Sequence, residues 1–168
     1  EKDVDGVTAA SAAAVYTGRG PGFAPCTAEA ALRLLDFYEV PLDGRHAVVV
    51  GRSEVIGRPA AMLLLQRSAT VTICHSHTRG LAEHTRQADV IVAAAGRAAL
   101  LGQAQLRAGQ TVVDVGVNVL ADGTMVGDVD FAAAEATVDA VTPVPGGVGA
   151  VTTAVLLSHL AEAAQRAL

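Results

Sequence analysis

Apolar positions along the chain come in short β-branched bursts, separated by longer stretches whose apolar residues recur every three or four positions. The bursts are His46 to Val50, Thr70 to Cys74, Asp89 to Ala93, Thr111 to Val115 and Val138 to Val141. Each has strand length and contains no glycine or proline. Helical patterns lie around them: a helix from Thr27, as N-cap, through Glu39, then Ile56 to Gln66, Arg79 to Gln87 and Val151 to Ala167. A short helix or turn is expected near Gln103 to Arg107 and a short helix around Phe131 to Ala136. Asp122-Gly123 marks a hairpin-like turn, whose strand near Asp122 to Val126 either closes on itself or pairs across a dimer. Residues 7 to 24 hold Gly18, Gly20, Pro21 and Gly22 close together and read as a connector or hinge rather than an element. Strands alternating with helices at this spacing imply right-handed βαβ units, and so an α/β domain with a doubly wound, mostly parallel sheet.

Composition narrows the picture. Of 168 residues 51% are hydrophobic but only 3% aromatic, so the core is built from Ala, Val and Leu. That suits buried parallel strands under closely packed helices. A net charge of −5 and the lack of a basic stripe argue against a nucleic-acid or anionic-membrane partner. No apolar run is both long and uninterrupted enough to span a membrane. Two cysteines, Cys26 and Cys74, fit buried thiols in a reducing cytosol, so a cytoplasmic protein is expected. The polar opening at Glu1, without a methionine, reads like the middle of a longer protein.

Two glycine-bearing corners carry the chemistry. The run Pro143-Val144-Pro145-Gly146-Gly147-Val148-Gly149 fits neither a helix interior nor a central strand, so a strand there ends in a rigid loop feeding the last helix. In an open α/β sheet this is the edge where ligands bind. The second corner is Gly51-Arg52-Ser53-Glu54-Val55-Ile56-Gly57-Arg58-Pro59, a strand-to-helix glycine loop of the kind that sets backbone amides against a diphosphate. It departs from G-x-G-x-x-G: Ser53 replaces the middle glycine and the last comes one residue late. The next strand ends in Cys74-His75-Ser76-His77-Thr78-Arg79 without the acid that would take ribose hydroxyls. An acid would repel a ribose phosphate, whereas Ser76, Thr78 and an arginine, best Arg52, would hold one. NADP is therefore expected over NAD. His75 and His77 lack the close Cys or acid partners of a zinc site and read as solvated loop histidines; no metal is expected. Small residues at Ala94-Ala95-Gly96 and Gly116-Val117-Asn118 let a flat ring lie close to the backbone.

Six separated motifs then coincide: Lys2-Asp3-Val4-Asp5-Gly6, Pro25-Cys26-Thr27, Gly51-Arg52-Ser53 with Gly57-Arg58-Pro59, Val113 to Asn118, Gly127-Asp128-Val129, and the Pro143 to Gly149 loop. In this order they resemble the bifunctional methylenetetrahydrofolate dehydrogenase/methenyltetrahydrofolate cyclohydrolase family. The resemblance implies a Rossmann-like NADP-binding domain over residues 25–168, with residues 1–24 a connector from an N-terminal folate-binding catalytic domain. It also implies a homodimer acting on tetrahydrofolate derivatives in one-carbon metabolism and purine biosynthesis. By it, Gly51, Arg52 and Ser53 form the phosphate loop, Arg52 and Ser76 select NADP, and the Val117 backbone meets the nicotinamide end. Asp5 corresponds to the carboxylate that binds the pterin, and Pro145, Gly146 and Gly147 border folate and nicotinamide. The family's catalytic lysine, four residues after a tyrosine, has no counterpart: the single lysine is Lys2, and neither Tyr16 nor Tyr38 has a lysine four places on. Ser11 and Ala13 stand where relatives tend to carry Asn and Gly, and Ala150-Val151-Thr152 replaces Pro-Met-Thr. No catalytic residue is therefore assigned, and the alternative is a non-catalytic NADP-binding module of the same fold.

Overall fold

In the computed structural model, which describes residues 2–167, five parallel strands form one sheet. They are β1 (His46–Val50), β2 (Thr70–Cys74), β3 (Val90–Ala93), β4 (Thr111–Asp114) and β7 (Ala140–Val141), in the order β2-β1-β3-β4-β7. The helices are α1 (Ala9–Thr17), α2 (Cys26–Phe37), α3 (Gly57–Gln66), α4 (Leu81–Gln87), α5 (Phe131–Glu135) and α6 (Val148–Arg166), with a 3₁₀ turn at Gln103–Gln105. The doubly wound reading holds because both faces of the sheet are covered. Ala47, Val49, Val90, Val92 and Val113 pack with α2, α3 and α6, while Val48, Val50, Ile91, Ala93 and Val112 pack on the opposite face. Each fully buried valine contributes roughly 1.5–3 kcal/mol. Ala30, Ala31, Ala60 and Ala61 are fully buried, so small side chains let the helices lie close to the strands. No helix among the described residues is long and apolar enough to cross a membrane.

Four expectations are corrected. The stretch read as a connector contains α1. Thr8 caps it, its hydroxyl accepting the Ser11 amide, and Gly18 closes it at φ 66°. The Asp3 carboxylate organises that end, accepting the amides of Val7 and Thr8 at 3.0 and 2.9 Å and both the Thr8 and Ser11 hydroxyls at 2.6 Å. An alanine-rich sequence with no one-sided apolar stripe hides such a helix. Second, α2 starts at Cys26 with Pro25, not Thr27, at its N-cap position. Proline costs nothing there because that amide has no helical partner. Third, the last strand is only Ala140–Val141, because the ladder beyond it passes to a side chain: the Asp114 amide donates to the Thr142 hydroxyl at 2.8 Å. Fourth, α6 begins at Val148, inside the glycine run.

Around the turn at Asp122-Gly123, β5 (Asn118–Val119) and β6 (Met125–Val126) pair antiparallel with each other, so the hairpin closes on itself. The N-terminal segment is tied to the domain through buried His159 on α6. Its Nδ1 lies 2.9 Å from the Val4 carbonyl and its Nε2 2.9 Å from Glu29 on α2.

Candidate functional site

The β1 strand has β2 on one side and β3 on the other, and the chain reverses direction across the sheet at this point. A crevice outside the carboxyl ends of such strands is where open α/β sheets take ligands. Two cavities open along that edge. One, of about 330 Å³, is lined by Gly51, Arg52 and Ser53 after β1, His75, Ser76 and Thr78 after β2, and Ala94, Ala95 and Arg97 after β3. The other, of about 350 Å³, lies between Gly116 and Val117 after β4 and the Pro143 to Gly149 loop after β7.

Local rules build the first cavity. Gly51 has φ 140°, and a Cβ built on it would fall 2.0 Å from the Ala94 carbonyl oxygen, so only glycine lets this turn pass the end of β3. The Ser53 hydroxyl accepts the amides of Ile56 and Gly57 at 3.2 and 3.3 Å and so ties the turn to the start of α3, leaving its proton free to donate. The amides of Arg52 and Ser53 have no acceptor among the described residues. Arg52 is exposed and joins none of the ion pairs found there. On the facing side Thr78 closes a turn with His75, its hydroxyl accepting the His75 amide at 2.8 Å. Desolvation first, then the positive charge of Arg52 and His77 beside it, hold His75 below the ordinary histidine value. Arg52 thus projects its charge toward the residues after β2. Free amides, a hydroxyl proton, Ser76 and an unpaired guanidinium, with no carboxylate on the wall, make a site for a phosphorylated ligand.

The structure brings Gly51, Arg52, Ser53 and Ser76 together in one cavity, and Val117 with Pro145, Gly146 and Gly147 in the other. Asp5 stands apart. It is exposed, lines neither cavity, and lies beside the Cys26 thiol, which burial and then the Asp5 carboxylate push up to about 12. That thiol is inert rather than nucleophilic. A larger cavity of about 470 Å³ lies between α1 and α3, walled by Val7, Ala12, Val15, Pro59 and Met62. Its charged rim residues Glu54 and Arg58 are already paired at 3.2 Å. Among the described residues no cluster of His, Cys, Asp and Glu is arranged to hold a metal.

Arg97 and the buried carboxylates Asp114 and Asp128, the last two inside motifs noted in the sequence, have no site role assigned from sequence. Burial pushes Asp114 above the ordinary carboxylate value against three backbone donors, from Val129, Asp128 and Gly116. The available signal was an aspartate inside the apolar run Val112-Val113-Asp114-Val115, where a charge is placed only with partners.

Comparison with known proteins agrees with this geometry. The tetrahydrofolate dehydrogenase/cyclohydrolase NAD(P)-binding domain matches residues 25–168. A bifunctional protein FolD from Carboxydothermus hydrogenoformans is 51% identical over 167 residues, covering 98% of this chain and 58% of the relative. The crystal structure of a FolD methylenetetrahydrofolate dehydrogenase/cyclohydrolase from Campylobacter jejuni superposes with a TM-score of 0.96 at 44% identity, over 99% of this chain and 59% of that one. A Trypanosoma brucei FolD, solved with NADP cofactor and an inhibitor, superposes with a TM-score of 0.88 at 38% identity, over 94% and 56%. The chain thus spans less than two thirds of the proteins it matches.

Proposed function

The chain belongs to the tetrahydrofolate dehydrogenase/cyclohydrolase family, and from that premise we propose that it is the NADP-binding portion of a methylenetetrahydrofolate dehydrogenase/methenyltetrahydrofolate cyclohydrolase. The observation that carries this reading is the cavity where exposed, unpaired Arg52 meets Ser76, Ser53 and the Gly51 turn with no acid among them. Arg52 and Ser76 hold the ribose phosphate. The Arg52 and Ser53 amides and the Ser53 hydroxyl receive the diphosphate. Val117 lines the wall for the nicotinamide, opposite Pro145, Gly146 and Gly147, which also border the folate. When bound, NADP supplies the hydride acceptor. The residues of this chain orient it and shield it from water.

Residues 1–24 are read as the link to a folate-binding catalytic domain, and the family resemblance supports Asp5 as the pterin carboxylate. The same resemblance supports tetrahydrofolate derivatives as substrates and a cytoplasmic homodimer as the working form. Lys2 is the single lysine and sits beside Asp3 rather than four residues after a tyrosine. These residues alone therefore bind nucleotide without steering the proton transfers of the cyclohydrolase step.

Thermal unfolding with added nucleotide tests the reading. NADP at a hundred times its dissociation constant stabilises the fold by about 2.7 kcal/mol, and NAD at the same concentration stabilises it less. Arg52→Ser is expected to weaken NADP roughly 10- to 100-fold, the worth of a charge-assisted phosphate contact, and to leave NAD within about threefold. A melting temperature unmoved by millimolar NADP overturns the proposal.

A further inference from the structure

The Gly127-Asp128-Val129 motif touches neither cavity directly, yet it is built around the most enclosed carboxylate side chain among the described residues. Asp128 is fully buried. Its carboxylate accepts the consecutive amides of Ala95, Gly96 and Arg97 at 2.5, 2.8 and 2.8 Å, and the side-chain amide of Asn118 at 3.0 Å. Successive amides converging in this way form a nest for an anion, and here the anion is the protein's own. Asp114, at the end of β4, repeats the pattern one step earlier. It accepts the amides of Gly116, Asp128 and Val129 at 2.9, 3.0 and 2.9 Å. The two carboxylates therefore act in series: Asp114 holds the backbone of Asp128, and Asp128 holds the loop after β3.

Two glycines admit this arrangement. A Cβ on Gly127 would fall 1.9 Å from Asp114 Oδ2, and one on Gly116 would fall 2.3 Å from Asp128 Oδ1. Every hydrogen bond the two carboxylates accept comes from an amide rather than a cation. Two neighbouring buried charges are a poor way to gain stability, since apolar residues of similar size do as well or better. They are a good way to fix backbone positions, because each demands its donors at hydrogen-bond distance. The positions so fixed are the walls of the site. Ala95 and Arg97 line the Gly51 cavity, and Gly116 and its neighbour Val117 line the Pro145 cavity.

We propose that Asp128, held by Asp114, is a positioning residue for the dinucleotide, setting the loop after β3 and the turn after β4 in fixed register so that one ligand spans both cavities. The inference rests on the NADP reading above. It also accounts for two motifs, Val113 to Asn118 and Gly127 to Val129, that lie largely outside the contacts assigned to the cofactor.

The experiment compares wild type with Asp128→Asn, which keeps the shape but removes the charge. Both are assayed below their melting temperatures for NADP and NAD affinity and for amide hydrogen exchange. The variant is expected to weaken NADP and NAD by a common factor, about 10- to 100-fold for a charged hydrogen-bond set. The ratio between the two nucleotides stays fixed because Arg52 and Ser76 are untouched. Exchange at Ala95 to Arg97 and at Gly116 to Asn118 should quicken together. A purely structural role would lower the melting temperature and leave the affinity of the folded protein unchanged, and that result overturns the proposal. A changed NADP-to-NAD ratio, or faster exchange confined to one of the two segments, overturns it as well. If Asp128→Asn does not fold, Asn118→Ala removes one donor only. It should weaken both nucleotides about threefold, the worth of a single hydrogen bond. If wild type itself fails to bind NADP, the functional reading falls, and the exchange measurement still decides whether the relay couples the two segments.

Discussion

The two glycine corners on the carboxyl edge of the sheet differ in what their glycines are for. At the first, the protein's own backbone requires them: a Cβ on Gly51 would meet the Ala94 carbonyl at 2.0 Å and one on Gly57 the Gly51 carbonyl at 2.4 Å. At the second, only Gly147 is pressed in that way, with the Pro143 carbonyl 2.4 Å from its built Cβ. Gly146 is required by its φ of 100° rather than by crowding, whereas an added Cβ on Gly149, a helical residue, would meet nothing within 4 Å. A glycine that its own fold does not need, lining a cavity at the sheet's ligand edge, leaves room for something outside the chain. The first corner is thus shaped by folding and armed by Arg52, whereas the second is kept open.

The sharpest way to break this contrast is one methyl group at each corner. Gly51→Ala places a side chain at φ 140° against a carbonyl. It should cost about 3 kcal/mol or more, lowering the melting temperature by roughly 6–12 °C in a chain of this size. Thermal unfolding monitored by circular dichroism checks this, and a melting temperature within 2 °C of wild type would mean that the turn is not held as described.

Gly149→Ala should do the reverse. Residue 149 is the second in α6, where alanine is the better helix former by up to about 1 kcal/mol, so stability is expected to hold or rise slightly. A ligand reaching the second cavity then meets the new methyl, and NADP should bind about tenfold more weakly, in line with the cost of overfilling a packed site. A 2′-phosphorylated adenosine fragment, confined to the first cavity, should bind as before. Loss of stability in this variant, or equal loss for fragment and whole nucleotide, would erase the distinction between the corners.

How much of this was legible beforehand follows the same division. The five strands and the Gly51 turn were readable because β-branched bursts and glycine punctuation are local signals. The proposal for Arg52 and Ser76, which share one cavity, came from the absence of an acid at the end of β2. Helix α1 was not readable: its order comes from Asp3, a carboxylate five and eight residues before the two hydroxyls it engages, on a sequence of nearly featureless alanines. Nor was the start of α6, since Gly149 argues against a helix locally and only the fold overrides it. The Asp114–Asp128 relay escaped because most of its donors are backbone amides 14 to 33 residues away, and backbone donors leave no mark in a sequence.

The smallest effect, and the most local, is electrostatic. In the free protein His75 titrates below its ordinary value through desolvation first, then repulsion from Arg52 and from His77. Unfolded chains therefore take up the His75 proton at higher pH than the folded one does. By linkage, the contribution of this group to stability is intact above the ordinary histidine range and declines as pH falls through it. A phosphate bound beside Arg52 reverses the local sign, so NADP should raise the His75 titration point and NADP affinity should increase as pH falls through the interval between free and bound values. Arg52→Ser should by itself move the free-state value upward. NMR titration of the imidazole protons reads each shift separately. The Pro143 to Gly149 loop of the second corner carries no charged side chain, so no matching response is expected from that loop. A His75 titration unchanged by both NADP and Arg52→Ser would place the guanidinium elsewhere and remove the charge that sets the first corner apart from the second.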